Sequence, residues 1–126
     1  MDLKIIGLRI AGTIFGIGAL LHVLRLITKV PVVSDGHALI IPKRHTRNYF
    51  ELNSSEQFEI WQVSKRVKDI ISKRFKPDGF NIGFNMEEAG DQTVFHTHIH
   101  IIPRYKGDVV NPRGGIRNVI IGKGIY

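Results

Sequence analysis

The feature that most constrains this chain is the run His96-Thr97-His98-Ile99-His100-Ile101-Ile102-Pro103, in which imidazoles alternate with Thr and Ile. Strand side chains point alternately to opposite faces, so the three imidazoles share one face and Thr97, Ile99 and Ile101 the other. The apolar face can enter a core and hold the histidines rigidly. Three of the six histidines fall here. A row of imidazoles about 6 to 7 Å apart is costly as filler, because each needs a hydrogen-bond partner or a charge. The residues alone leave three readings open: satisfied surface histidines, ligands of a tetrahedral metal ion, or a nucleophile with its supporting groups. A hydrolytic metal site would also want an acid or base beside it, and the nearest carboxylates, Glu87, Glu88 and Asp91, lie on a connection of unfixed direction. A neutral imidazole is a competent nucleophile toward phosphorus, and neighbouring imidazoles or amides can stabilise the oxyanions without a metal.

The rest of the chain must supply a scaffold for that strand. With 126 residues, 43% of them hydrophobic and 23% charged, the chain has room for one domain with a real core. It contains no cysteine, which removes disulfides, thiolate nucleophiles and thiolate metal sites together and suits a reducing cytoplasm. Lys and Arg outnumber Asp and Glu by 18 to 11, and the resulting +7 favours anionic partners such as nucleotides, nucleic acid or a phospholipid surface. The basic residues are spread along the chain rather than set beside exposed aromatics in a reading module, which makes nucleic acid an unlikely partner.

Residues 1–30 read differently from residues 31–126. From Ile5 to Ile27 the chain runs IIGLRIAGTIFGIGALLHVLRLI, without a charge between Ile10 and Leu24. That uncharged part is short of the roughly 20 residues that span a bilayer, but Arg9 and Arg25 at its ends can snorkel to headgroups. Gly12 and Gly16 form a small-xxx-small pair of the kind that lets two such helices approach. No small-residue cleavage site follows, so an inserted segment stays as an anchor. The denser Lys and Arg after it then leave the C-terminal domain at the cytoplasmic face of the membrane. The alternative is that these residues are remodelled N-terminal strands of the domain, since Ile, Val and Phe are strand formers.

After Pro31 the pattern becomes that of a soluble domain. His37 to Pro42 reads as a short buried strand closed by proline. Ser54 and Gln57 stand at capping-box spacing, and Ile60, Val63, Val67, Ile70 and Ile71 fall on one helical face, which predicts a helix from about Ser55 to Phe75 ending at Lys76-Pro77-Asp78-Gly79. Trp61 on it reads as a packing or dimer contact. Phe80 to Asn85 and Thr93 to Pro103 read as two strands joined by the polar stretch from Met86 to Gln92, hence an antiparallel pair. Asn111-Pro112-Arg113-Gly114-Gly115 and the residues after it read as a glycine-rich loop leading to an extended end.

At this point the residues resemble a known family. Gln92-Thr93-Val94-Phe95-His96-Thr97-His98-Ile99-His100-Ile101-Ile102-Pro103-Arg104 resembles the signature strand of the histidine-triad (HIT) proteins. Ser34-Asp35-Gly36-His37-Ala38-Leu39-Ile40-Ile41-Pro42-Lys43-Arg44-His45 is similar to the family's first motif, and Gly83-Phe84-Asn85 to the segment before the loop. The likeness runs from about Pro31 to Tyr126, and the tail from Asn111 resembles that of a bacterial or archaeal subgroup, among diadenosine-polyphosphate hydrolase-like members. It implies an α+β fold with a central antiparallel sheet and one main helix, usually dimeric, acting on dinucleoside polyphosphates or nucleoside phosphoramidates, with no cofactor or metal required. Carried across, His98 is the nucleophile that becomes transiently nucleotidylated. His100, Asn85 and Thr93 match positions around the α-phosphate, Gln92 assists near the phosphate or leaving group, and His37 and His96 complete the catalytic cluster. Two positions depart from the pattern. Lys29 stands where the family usually has an acidic residue that binds the ribose hydroxyls, which puts the nucleoside pocket in question, and Asp91 stands where it usually has glycine.

Overall fold

The computed structural model describes residues 21–25, as backbone, and 33–126. Four strands, β1 (Leu21–Arg25), β2 (Ala38–Pro42), β3 (Gly79–Gly83) and β4 (Ile99–Arg104), form one antiparallel sheet in the order β1-β2-β4-β3. One long helix, α1 (Ser54–Phe75), crosses between β2 and β3 in sequence and packs on β2 and β4. This is the α+β arrangement expected from the sequence.

Periodicity explains the core. In β4 Ile99 and Ile101 are buried while His100 and Ile102 are only partly so, and β2 alternates in the same way around Ala38 and Ile40. Register pairs Ala38 with Ile101 and Ile40 with Ile99, so the two apolar rows lie side by side. Against them α1 lays Ile60, Val63, Val67 and Ile71, spaced three or four residues apart. Ile70, placed on that stripe by spacing, sits at its rim. Each buried Ile or Val stabilises the fold by about 1.5–3 kcal/mol relative to an exposed one. Everything on the opposite face of β2 and β4 is left for chemistry.

Three local expectations are revised. The capping box of α1 is made by Asn53 and Glu56, one residue earlier than Ser54 and Gln57: Glu56 N–H donates to Asn53 Oδ1 at 2.9 Å and Asn53 N–H to Glu56 Oε2 at 2.8 Å. Glu56 also takes two hydrogen bonds from Arg44, and that second partner favours the earlier box. The strand expected from Thr93 begins only at Ile99, where its pairing with β2 ends at Ile40↔Ile99, one residue beyond the last pair with β3 at Gly83↔His100. The tail does not simply extend: residues Gly115–Val119 form a 3-10 turn, and Gly124 lies so close to it that a Cβ there would meet Asn118 backbone at 2.8 Å.

The apolar segment from Ile5 to Ile27 falls mostly outside the described residues, as does Lys29; its part from Leu21 to Arg25 is the edge strand β1, paired with β2 from Leu21↔Pro42 to Arg25↔Ala38. Among the described residues no helix is long and apolar enough to cross a membrane.

Candidate active site

His37 leads into β2 from a turn in which Gly36 has φ +84°, a conformation open to glycine, and where a Cβ would press to 2.9 Å of the Phe75 ring at the end of α1. The turn delivers a buried imidazole to the far face of the sheet, beside His100. His37 Nε2 and His100 Nδ1 are 3.0 Å apart and the rings stack with centroids 5.2 Å apart. Burial pushes the His37 pKa down. It also pushes His100 down to about 4, with the nearby His98 and His37 disfavouring a second positive charge. Both rings are therefore neutral at pH 7 and share one proton across the contact.

The tautomers follow from the partners. His37 Nδ1 is buried without a hydrogen bond among the described residues. A buried orphan N–H is rarer than an under-used acceptor, so we assign this nitrogen a lone pair. His37 Nε2–H then donates to His100 Nδ1, and His100 keeps its proton on Nε2. His98 Nδ1 lies 2.8 Å from the carbonyl of His96. A carbonyl only accepts, so Nδ1 carries the proton and Nε2 presents a lone pair. His96 Nε2 lies 2.9 Å from the carbonyl of Pro42 and is likewise the protonated nitrogen of its ring. The His98 and His100 rings meet edge to face at 5.2 Å.

The expected alternation persists through a segment that is not in the ladder: Thr97 is buried, whereas His96 and His98 are partly exposed. His37, His98 and His100 are brought together with His96 flanking them. Asn85 and Thr93 sit at the two ends of the connection between β3 and the histidines, both exposed, with the Asn85 amide 3.4 Å from the Asp91 carbonyl. Gln92 has a different position from its neighbours. Its side chain is buried and donates to the carbonyls of Arg47 and Val94, while its oxygen accepts from Glu87 N–H at 3.0 Å. It is a brace of the loop rather than an arm reaching into open space.

That loop stores strain at its apex. Glu87 has φ 61° and ψ 176°, a region that non-glycine residues pay about 1–3 kcal/mol to occupy. The Arg47 guanidinium, 2.8 Å from the Glu87 carboxylate, and the Gln92 bond hold it there. Asp91 is left-handed, with φ 59° and ψ 38°, which accounts physically for glycine being usual at this position; Asp is one of the few other residues that visits it readily. Among the described residues no group of three or more His, Asp or Glu side chains is arranged to hold a metal ion.

Sequence reasoning gave His45 no role beyond closing the first motif and passed over Thr46 and Arg47. His45 packs edge-on to His96, with ring centroids 4.9 Å apart, and Arg47 lies over the Phe95 ring at 4.2 Å. The only signal there was His45 at the close of the first motif.

Comparison with known proteins agrees with this geometry. A family model described as the HIT domain matches residues 20–107. The protein called hit of Bacillus subtilis is 39% identical over 88 residues, covering 69% of this chain and 60% of that protein. The bis(5'-adenosyl)-triphosphatase of Dictyostelium discoideum is 35% identical over 86 residues, covering 68% of this chain and 57% of its own length. The crystal structure of a HIT family protein from Bacillus anthracis superimposes with a TM-score of 0.65 at 34% identity, over 71% of this chain and 62% of that one. The chain belongs to the HIT domain family. It spans about 60% of the length of the relatives it matches.

Proposed function

We propose that this chain acts on the α-phosphate of a nucleotide, with His98 as the nucleophile, and that dinucleoside polyphosphates or nucleoside phosphoramidates are its substrates. The observation that carries the reading is the hydrogen bond from His98 Nδ1–H to its own segment's carbonyl, which in the neutral ring makes Nε2 the nitrogen with the lone pair, near a neutral His100. Nε2 attacks phosphorus as the bond to the leaving group breaks; the leaving group takes a proton from solvent, and the water that later attacks returns one. Water then attacks the nucleotidyl-imidazole, giving the nucleoside monophosphate and restoring His98. Phosphorus carries extra negative charge at its equatorial oxygens in each transition state. His100 Nε2–H, with the exposed Asn85 and Thr93, supplies donors whose bonds strengthen there more than in the ground state. His37 holds the His100 tautomer by donating to its Nδ1. His96 anchors the carbonyl that fixes His98.

The triphosphatase named among the relatives supports a dinucleoside polyphosphate as the substrate class. In this reading the protein works in the cytoplasm as a homodimer and without a cofactor, and the catalytic domain includes, besides residues 31–126, the edge strand β1.

Hydrolysis of a fluorogenic adenosine phosphoramidate and of diadenosine polyphosphates, in the presence of a chelator, tests the reading. His98→Ala should lower kcat by at least about 10³-fold because it removes the only group that forms the covalent bond. Activity lost to the chelator, or kept by the variant, would end the proposal.

A further inference from the structure

We propose that Thr46 is a positioning residue for the His98 nucleophile, its hydroxyl and carbonyl standing in for the strand ladder that ends at Ile40↔Ile99. This inference rests on the reading of His98 given above.

Pairing of β2 with β4 runs through Leu39↔His100 and ends at Ile40↔Ile99. The reacting side chain, one residue further on, therefore lies just beyond the last bonded pair. After Pro42 the chain swings out through Lys43, Arg44 and His45, all exposed, and turns back at Thr46. There Thr97 N–H donates to the Thr46 carbonyl at 2.8 Å, and the two hydroxyls meet at 2.8 Å. The relative exposures of Thr46 and Thr97 are 1% and 2%, so neither hydroxyl can fall back on solvent. One arrangement satisfies both: Thr97 Oγ1–H donates to the Thr46 carbonyl, 3.2 Å away, and Thr46 Oγ1–H donates to Thr97 Oγ1.

Next to this pair, His96 Nε2–H donates to the Pro42 carbonyl, and Gln92 donates to the Arg47 carbonyl. The segment carrying the nucleophile is thus bonded at both ends to residues 42–47, with Thr46 at the centre. Thr97 is the immediate neighbour of His98 and separates it from His96, whose carbonyl fixes the His98 ring. Any slackening at Thr46 reaches that carbonyl through a single residue. Sub-ångström placement of a nucleophile is worth orders of magnitude in rate, which is what makes a remote buried hydroxyl matter.

The test compares Thr46→Val, which keeps the shape and deletes the hydroxyl, with Thr46→Ser, which keeps the hydroxyl, using adenosine phosphoramidate turnover and long-range ¹H–¹⁵N spectra of the histidine rings. Thr46→Val should lower kcat about tenfold with KM within about twofold of wild type, and its His98 should show a mixture of ring tautomers in place of Nδ1–H alone. Thr46→Ser should restore both. If Thr46→Val does not fold, Thr46→Ala deletes the same hydroxyl without a buried methyl in its place and carries the same expectations. A folded variant with wild-type kcat and an unchanged His98 tautomer would overturn the proposal. The two readings fail separately: a wild type without turnover whose His98 tautomer still depends on Thr46 removes the hydrolase reading and leaves the positioning role standing.

Discussion

The stretch from Gln92 to Arg104 is continuous in sequence but is held in two different ways. From Ile99 to Arg104 it is a central strand, bonded to β2 on one side and β3 on the other, with Ile99 and Ile101 sunk against α1. From Gln92 to His98 it keeps the alternation of a strand but has no ladder: one backbone bond, from Thr97 N–H to the Thr46 carbonyl, and the side chains of Gln92, His96 and Thr97 tie it to residues 42–47. The ladder half serves as the platform, while the side-chain half carries the nucleophile. A ladder fixes backbone and is indifferent to residue type, whereas side-chain bonds fix particular rings and hydroxyls and so can select a tautomer.

Removing the platform should cost most. Ile101→Ala deletes a side chain with 0% exposure at the centre of the core and should lower unfolding free energy by about 2–5 kcal/mol in a urea titration. A loss below about 1 kcal/mol would mean that the two halves are not anchored as unequally as the contacts indicate.

Acid should separate the histidine cluster on the sheet from the carboxylate-held parts around it. His100 has its pKa lowered from 6.5 to about 4, so the fold favours its neutral form. The stability this contributes is complete above the unfolded value and is lost as pH falls from about 6.5 through 4. Glu56, held near 2 by Arg44 and the Asn53 N–H, and Asp108, held near 2 by Arg104, contribute stability that is lost only at lower pH, below their ordinary 4.5 and 3.8. Histidine C2–H shifts should accordingly show His100 titrating well below 6.5, before the carboxylate-held parts yield. A His100 that titrates at 6.5 or above would contradict a dry His37–His100 pair.

The smallest effect concerns the loop that feeds the nucleophile. Asp91→Gly relieves a left-handed residue while adding freedom to the unfolded chain, and the two nearly cancel, so thermal unfolding should change by no more than about 1 kcal/mol. Asp91→Val, branched at Cβ, should be clearly destabilising, and equal stability of the two variants would refute the left-handed assignment.

Much of the platform was legible because it rests on periodicity. Ile60, Val63, Val67 and Ile71 repeat every three or four residues and Ile99 and Ile101 every two, and both patterns predict burial without knowledge of the partner. The histidines were legible for the same reason, and their roles came from resemblance. The clamp was not legible. Thr46 and Thr97 look like ordinary polar residues until two segments 51 positions apart meet, and no local pattern announces a buried hydroxyl pair. Gln92 shows a second feature that register does not report: beside its place next to the triad, its side chain makes three bonds to backbone. Strand length was overread at Thr93 because alternation reports which way side chains point and not whether a neighbouring N–H exists to pair with.

The end of the ladder at Ile99 also sets the order in which the molecule can come apart. Openings of the ladder must break β2, β3 and α1 contacts together and therefore approach global unfolding, whereas the segment from Gln92 to His98 is held by a handful of backbone and side-chain bonds. The nucleophile thus sits on the part of its strand whose local opening costs less than that of the sheet beneath it, and amide hydrogens from Gln92 to His98 should exchange with solvent before those of Ile99 and Ile101.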